Sequence, residues 1–145
     1  MFYYKRVKVD NKAFTLVELL IVIAIIGILA SFSLASYLKY REKSILTSHA
    51  LPVADACAKD VITYCIDLSV SAPTVISLST VDLPNCRNQN VLGYDLNITL
   101  LGTFTCNPGG TVSNGRVEAI LDSVPTYKAV CDLNENSINC RVEER

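Results

Sequence analysis

From Leu19 to Leu38 the chain runs for twenty residues without a charge, and its interruptions are Gly27, Ser31, Ser33 and Ser36. As a helix, a run of that length spans about 30 Å, the thickness of a bilayer's hydrocarbon core. Nothing after Leu38 approaches it. The remaining residues, about a hundred of the 145, suffice for one compact domain with a modest core. One membrane-type segment followed by one domain is therefore the expected organisation.

The charges flanking the run set its direction. Lys5, Arg6, Lys8 and Lys12 precede it, opposed by Asp10 alone. Cations there favour a cytoplasmic N-terminus and send the following domain outward. A basic stretch before an apolar run also fits an ordinary secretory signal, with Ser33-Leu34-Ala35 as its small-residue cleavage site. The length of the run and Glu18 at its start argue against that alternative. A carboxylate among Phe14, Leu16, Val17, Leu19 and Leu20 costs up to about 3 kcal/mol if carried to mid-bilayer, so it calls for a function.

The segment from Lys12 through Phe14, Glu18 and Gly27 to Ala30 resembles the class III signal of type IV pilins and type II secretion pseudopilins. The resemblance is close over about thirty residues and extends to the rest only in layout. It implies a leader, residues 1–13, cut by prepilin peptidase between Ala13 and Phe14, with N-methylation of the new Phe14 amine. It implies a half-helix, 14–38, that spans the membrane and then forms the core of a filament, and a globular head, 39–145. It implies as partners further copies of the chain in a helical homopolymer, an inner-membrane assembly machinery and, before assembly, the membrane; no cofactor is implied. Two departures stand out: Ala13 where the family usually has glycine, and Ala35 where a proline is common. The missing proline leaves open whether the core helix melts on assembly as the resemblance would imply. Glu18 is expected to pair with the Phe14 amine of a neighbouring subunit and set axial register, because a buried carboxylate needs a partner.

Beyond Leu38, Leu46, Ala50, Val53, Cys57, Val61, Tyr64 and Leu68 recur at steps of three and four. That stripe continues the helix to about Asp67, with a kink expected at Pro52, and predicts an amphipathic half, 39–67, packed on a sheet. Residues 68–90 read as a connecting loop with Pro73 and Pro84. Residues 91–133 read as a sheet of three or four antiparallel strands over Tyr94–Cys106, Arg116–Asp122 and Thr126–Leu133. The turns are Asn107-Pro108-Gly109-Gly110 and Ser113-Asn114-Gly115. The expected fold class is α+β: one long N-terminal helix packed through its C-terminal half on a small antiparallel sheet, the lollipop layout that the pilin resemblance also implies.

All six cysteines, Cys57, Cys65, Cys86, Cys106, Cys131 and Cys140, follow the apolar run. An even number in an exported domain predicts disulfides; without C-x-x-C spacing and with His49 the one histidine, no metal site is expected. Cys57 and Cys65 stand about 12 Å apart on one helix, too far to pair. Each is expected to reach Cys86 or Cys106, in an order the spacing leaves open. Cys131 with Cys140 is favoured: closing so short a loop stabilises by about 2–3 kcal/mol, and it resembles the C-terminal disulfide-bounded loop, here 131–140, of many type IV pilins.

No catalytic constellation is legible, so an enzyme is not expected. His49 reads as a solvated helix residue and the Asn107–Gly110 stretch as a turn without a P-loop lysine. Asn97-Ile98-Thr99 fits a glycosylation sequon of little weight, and Asp132, Asn134, Glu135 and Asn136 lack the spacing of an EF-hand. The leading function is a pilin, structural subunit of a type IV pilus. The alternatives are a pseudopilin of a type II secretion system and a minor pilin that binds DNA or surfaces. The head's cations are scattered and not drawn into a stripe, so nucleic acid is an unlikely partner though an open one.

Overall fold

A computed structural model describes residues 14–77, 80–100, 103–135 and 137–145. Residues 1–13, the expected leader with Ala13 at its end, lie outside them. The chain divides into two compact units, Met1–Leu38 and Lys39–Arg145. A single helix α1, Leu16–Leu68, runs through Pro52 without interruption. Eight strands follow: β1 Thr74–Ser77, β2 Gln89–Val91, β3 Tyr94–Leu100, β4 Thr103–Cys106, β5 Val112–Ser113, β6 Gly115–Leu121, β7 Tyr127–Asn134 and β8 Ser137–Glu144. A 3-10 turn, Pro84–Cys86, precedes β2. The class is α+β, a long helix followed by antiparallel sheet.

The strands form two sheets, β1-β4-β5 and β2-β3-β6-β7-β8, antiparallel throughout. Sequence led to three or four strands in one layer. The stretch Tyr94–Cys106 divides into β3 and β4, which belong to different sheets. The supposed connection 68–90 contains β1, whose Thr74 lies opposite Cys106 and Ser77 opposite Thr103. A four-residue strand paired with a segment thirty residues away has no local signature to read.

In the second unit, α1 packs on strands of both sheets through Leu46, Ala50, Ala54, Cys57, Ala58, Val61 and Cys65, all fully buried. The predicted stripe is thereby corrected: Val53 and Tyr64 only flank the core, and Leu68 is 41% exposed. Ala54 and Ala58 replace larger neighbours at the contact because small side chains let the helix lie close against the strands. Tyr64 instead meets Phe104 edge-on at 6.5 Å. Leu96, Val117, Ala119, Leu121, Ala129 and Leu133 of the large sheet and Phe104 and Val112 of the small one lie in the same core.

The turn that links β4 to β5 rests on the helix. Gly110 has φ +80°, and a Cβ there would lie 2.5 Å from Ile66 Cγ1 and 3.2 Å from Ile66 Cα. Gly110→Ala therefore combines a left-handed backbone with overpacking and should cost about 1–3 kcal/mol. A urea titration of the purified chain reads this as a lower midpoint; an unchanged midpoint would mean that the turn does not seat on the helix.

Residues 131–140 are also corrected. They form the end of the β7–β8 hairpin, with Cys131 directly opposite Cys140 and Asn134 opposite Ser137. In Ser137–Glu144, Ile138, Cys140 and Val142 are partly covered and alternate with exposed residues, the two-residue period of a strand packed on one face. That alternation was present in the sequence, masked by the asparagines around it.

Candidate functional site

The first unit's candidate residues, Phe14 and Glu18, lie at the start of α1. Thr15 and Glu18 form a reciprocal cap: the Thr15 backbone N–H donates to Glu18 Oε2 at 2.9 Å, and the Glu18 N–H to Thr15 Oγ1 at 3.3 Å. The Thr15 hydroxyl also donates to Glu18 Oε2 at 2.8 Å. Two N–H groups that a helix end leaves without partners are thus satisfied. Sequence reading placed Glu18 in assembly and overlooked Thr15, although Thr-x-x-Glu before an apolar run is the signature of this cap. Phe14, beside it, is 81% exposed.

Every large apolar side chain from Leu16 to Leu38 is exposed in the single chain, among them Ile21, Ile25, Ile28, Phe32 and Leu34. Monomeric soluble proteins rarely leave so large an apolar surface in water, and a surface of this kind suits lipid or a protein neighbour. The helix holds a stretch long and apolar enough to cross a membrane.

In the second unit the structure pairs Cys57 with Cys86, Cys65 with Cys106 and Cys131 with Cys140. The first two tie α1 to the 3-10 turn and to β4; the third crosses β7 and β8. His49 is corrected from a solvated position: it is half-buried, its ring edge-on to Tyr94 at 4.9 Å. Its Nδ1 lies 2.7 Å from Ser48 Oγ and 2.9 Å from the Ile45 carbonyl oxygen.

The outer face of the large sheet carries a charge lattice that the sequence did not disclose. Arg116 meets Glu118, Asp132 and Glu143; Lys128 meets Glu118 at 2.7 Å; Arg141 meets Asp132 at 2.5 Å and Glu143 at 2.6 Å. Hydrogen bonds and the charges of Arg141 and Arg116 hold the Glu143 carboxyl below the usual range. Val130, opposite both Glu118 and Arg141, is fully buried beneath these side chains. Asp132, a weighed calcium residue, is thus occupied by two arginines, and Asn136 lies outside the described residues. Among the described residues no group of three or more His, Cys, Asp or Glu could hold a metal ion.

The family described as prokaryotic N-terminal methylation motif matches residues 9–34. No curated protein and no solved structure matches the chain. The matched residues contain Phe14, the Thr15–Glu18 cap and most of the exposed apolar helix. Motif and helix together fit a membrane-anchored precursor, and a structural protein more than an enzyme. At residues 9–34 this chain carries the class III signal of type IV pilins and pseudopilins.

Proposed function

We propose that this chain is the structural subunit of a type IV pilus. The precursor sits in the bacterial inner membrane, prepilin peptidase removes residues 1–13, and the Phe14 amine is methylated. The inner-membrane assembly machinery then draws the subunit out of the bilayer and stacks its helix against those of other copies. The observation that carries the reading is the joining of a methylation motif to a helix whose apolar half is left wholly uncovered by its own chain. A homopolymer core covers that surface as the bilayer did before it.

Three disulfides favour a head that works outside the cell, where reducing systems do not reach and mechanical and proteolytic stress are high. Their density favours the pilus over a secretion pseudopilus, which stays within the envelope, although the periplasm is oxidising as well. The test is the intact mass and N-terminal peptide of protein sheared from the cell surface. A methylated Phe14 start in the sheared fraction is expected. A Phe14 start confined to the cell envelope would assign the chain to a pseudopilus, and a start at Ser36 would make it an ordinary secreted domain.

A further inference from the structure

The β2–β3 hairpin turns through Leu92 and Gly93, both at positive φ, 52° and 88°. Glycine or asparagine is the usual residue there, and a leucine is sterically disfavoured. Leu92 is also 84% exposed. A strained backbone and an uncovered apolar side chain thus coincide at one tip, and neither serves the stability of the head.

Beside the tip lies a cleft of about 440 Å³ lined by amides and by Asp95 and Asp122. Asn90 Nδ2 donates to Asp95 at 2.8 Å and Asn97 Nδ2 to Asp122 at 2.9 Å. Among the described residues no lysine or arginine pairs with either carboxylate. The same unit holds the complement. Arg41 is exposed, with no ion pair or hydrogen bond among the described residues, and Tyr40 beside it is 74% exposed.

These two surfaces do not meet within one chain. Tyr40 and Arg41 precede Leu46, which faces the sheet, by six and five residues; at about 100° per residue they point roughly 120–140° away from it. Tyr94, adjacent to Asp95, touches His49, and Arg41 lies eight residues further down α1, about 12 Å along the axis. A second copy displaced upward by about that distance brings its Arg41 level with Asp95, and its Tyr40 stands one helical residue, about 1.5 Å, from that level.

We infer that the Asp95–Asp122 cleft and Leu92 dock Arg41 and Tyr40 of a neighbouring copy of this chain. The inference rests on the filament reading above. Charge complementarity argues for the occupant: an acidic, cation-free cleft against the stretch Lys39–Arg41, whose two cations are exposed and unpaired among the described residues and are carried by every copy. The two patches differ, so the contact is heterologous. Each copy presents both halves, and the contact propagates where a two-fold one would close.

The test is filament yield in cells producing the full chain, with a Phe14 start checked for each variant. Arg41→Glu, and separately Asp95→Arg with Asp122→Arg, should each lower the sheared yield about tenfold. All three together should recover it to within about twofold. Wild-type yield from either reversal, or no recovery in the combination, overturns the contact. Should the arginine pair lose protease resistance, Asp95→Asn with Asp122→Asn takes its place; it must still lower the yield, and an unchanged yield overturns the contact.

Leu92→Gly should raise the thermal midpoint of the head yet lower the yield, a combination that a purely structural residue does not give. A photo-crosslinking side chain at position 92 should capture the peptide containing Tyr40 and Arg41 of a second copy. Capture of any other peptide or another protein counts against the assignment. If the wild-type chain is processed but never found in filaments, the filament reading falls and this contact with it. If wild-type filaments form and the charge swap fails, the contact alone falls.

Discussion

Alanine in place of Glu18 should leave the precursor cleaved between Ala13 and Phe14 and should lower its recovery in sheared filaments by tenfold or more. In the single chain the carboxylate caps its own helix through Thr15. In a packed apolar core it needs an opposite charge, and the amine freed at Phe14 of a neighbour is the proposed one. Breaking one partner of such a buried pair costs about 3–5 kcal/mol, far more than the roughly 1 kcal/mol at stake in the cap. The two roles separate in Glu18→Gln, because glutamine can replace glutamate in a cap but carries no charge. That variant should assemble as poorly as the alanine one while keeping its helix start. Near-normal filament yield from Glu18→Gln would remove charge pairing from the account and leave only the cap.

The paired substitution Cys65→Ser with Cys106→Ser should have the largest effect on the head. The bridge closes a sequence separation of 41, against 29 for Cys57–Cys86 and 9 for Cys131–Cys140. Loop-closure entropy gives about 4, 3.5 and 2.5 kcal/mol in that order, on a model that ignores structure left in the unfolded chain. Both Cys65 and Cys106 are fully buried, so serine hydroxyls there add a desolvation cost. At a slope of roughly 1–3 kcal/mol per molar urea, the midpoint of the detergent-solubilised chain should fall by at least about 1 M. The Cys131→Ser, Cys140→Ser chain should lose less and still insert in membranes. A reversed order would mean that the hairpin bridge, not chain closure over the helix, dominates the head.

The parts of this protein written locally were legible in its sequence. The methylation motif is a contiguous string, so Phe14, Glu18 and the apolar run could be named without any fold. The helix announces itself by period and length, and its end came within a residue of Leu68. The turns around Gly110 and Asn114 follow from residues that accept positive φ. Even the Thr15–Glu18 cap was there to be read.

Tertiary structure alone decided what depends on partners distant in the chain. Spacing could separate Cys57 from Cys65 along a helix, but only the placement of the 3-10 turn and β4 against α1 assigns Cys86 to one and Cys106 to the other. β1 exists because β4 offers it a backbone ladder, a condition that its four residues do not record. The division of Tyr94–Cys106 between two sheets has the same origin. Arg116, Lys128 and Arg141 looked scattered because they stand on three successive strands; strand register sets them beside Glu118, Asp132 and Glu143 on one face. Periodicity and turn chemistry act over a few residues and determined the helix, the motif and the turns. Strand pairing and disulfide choice compare segments tens of residues apart, and that comparison is made only when the chain has folded.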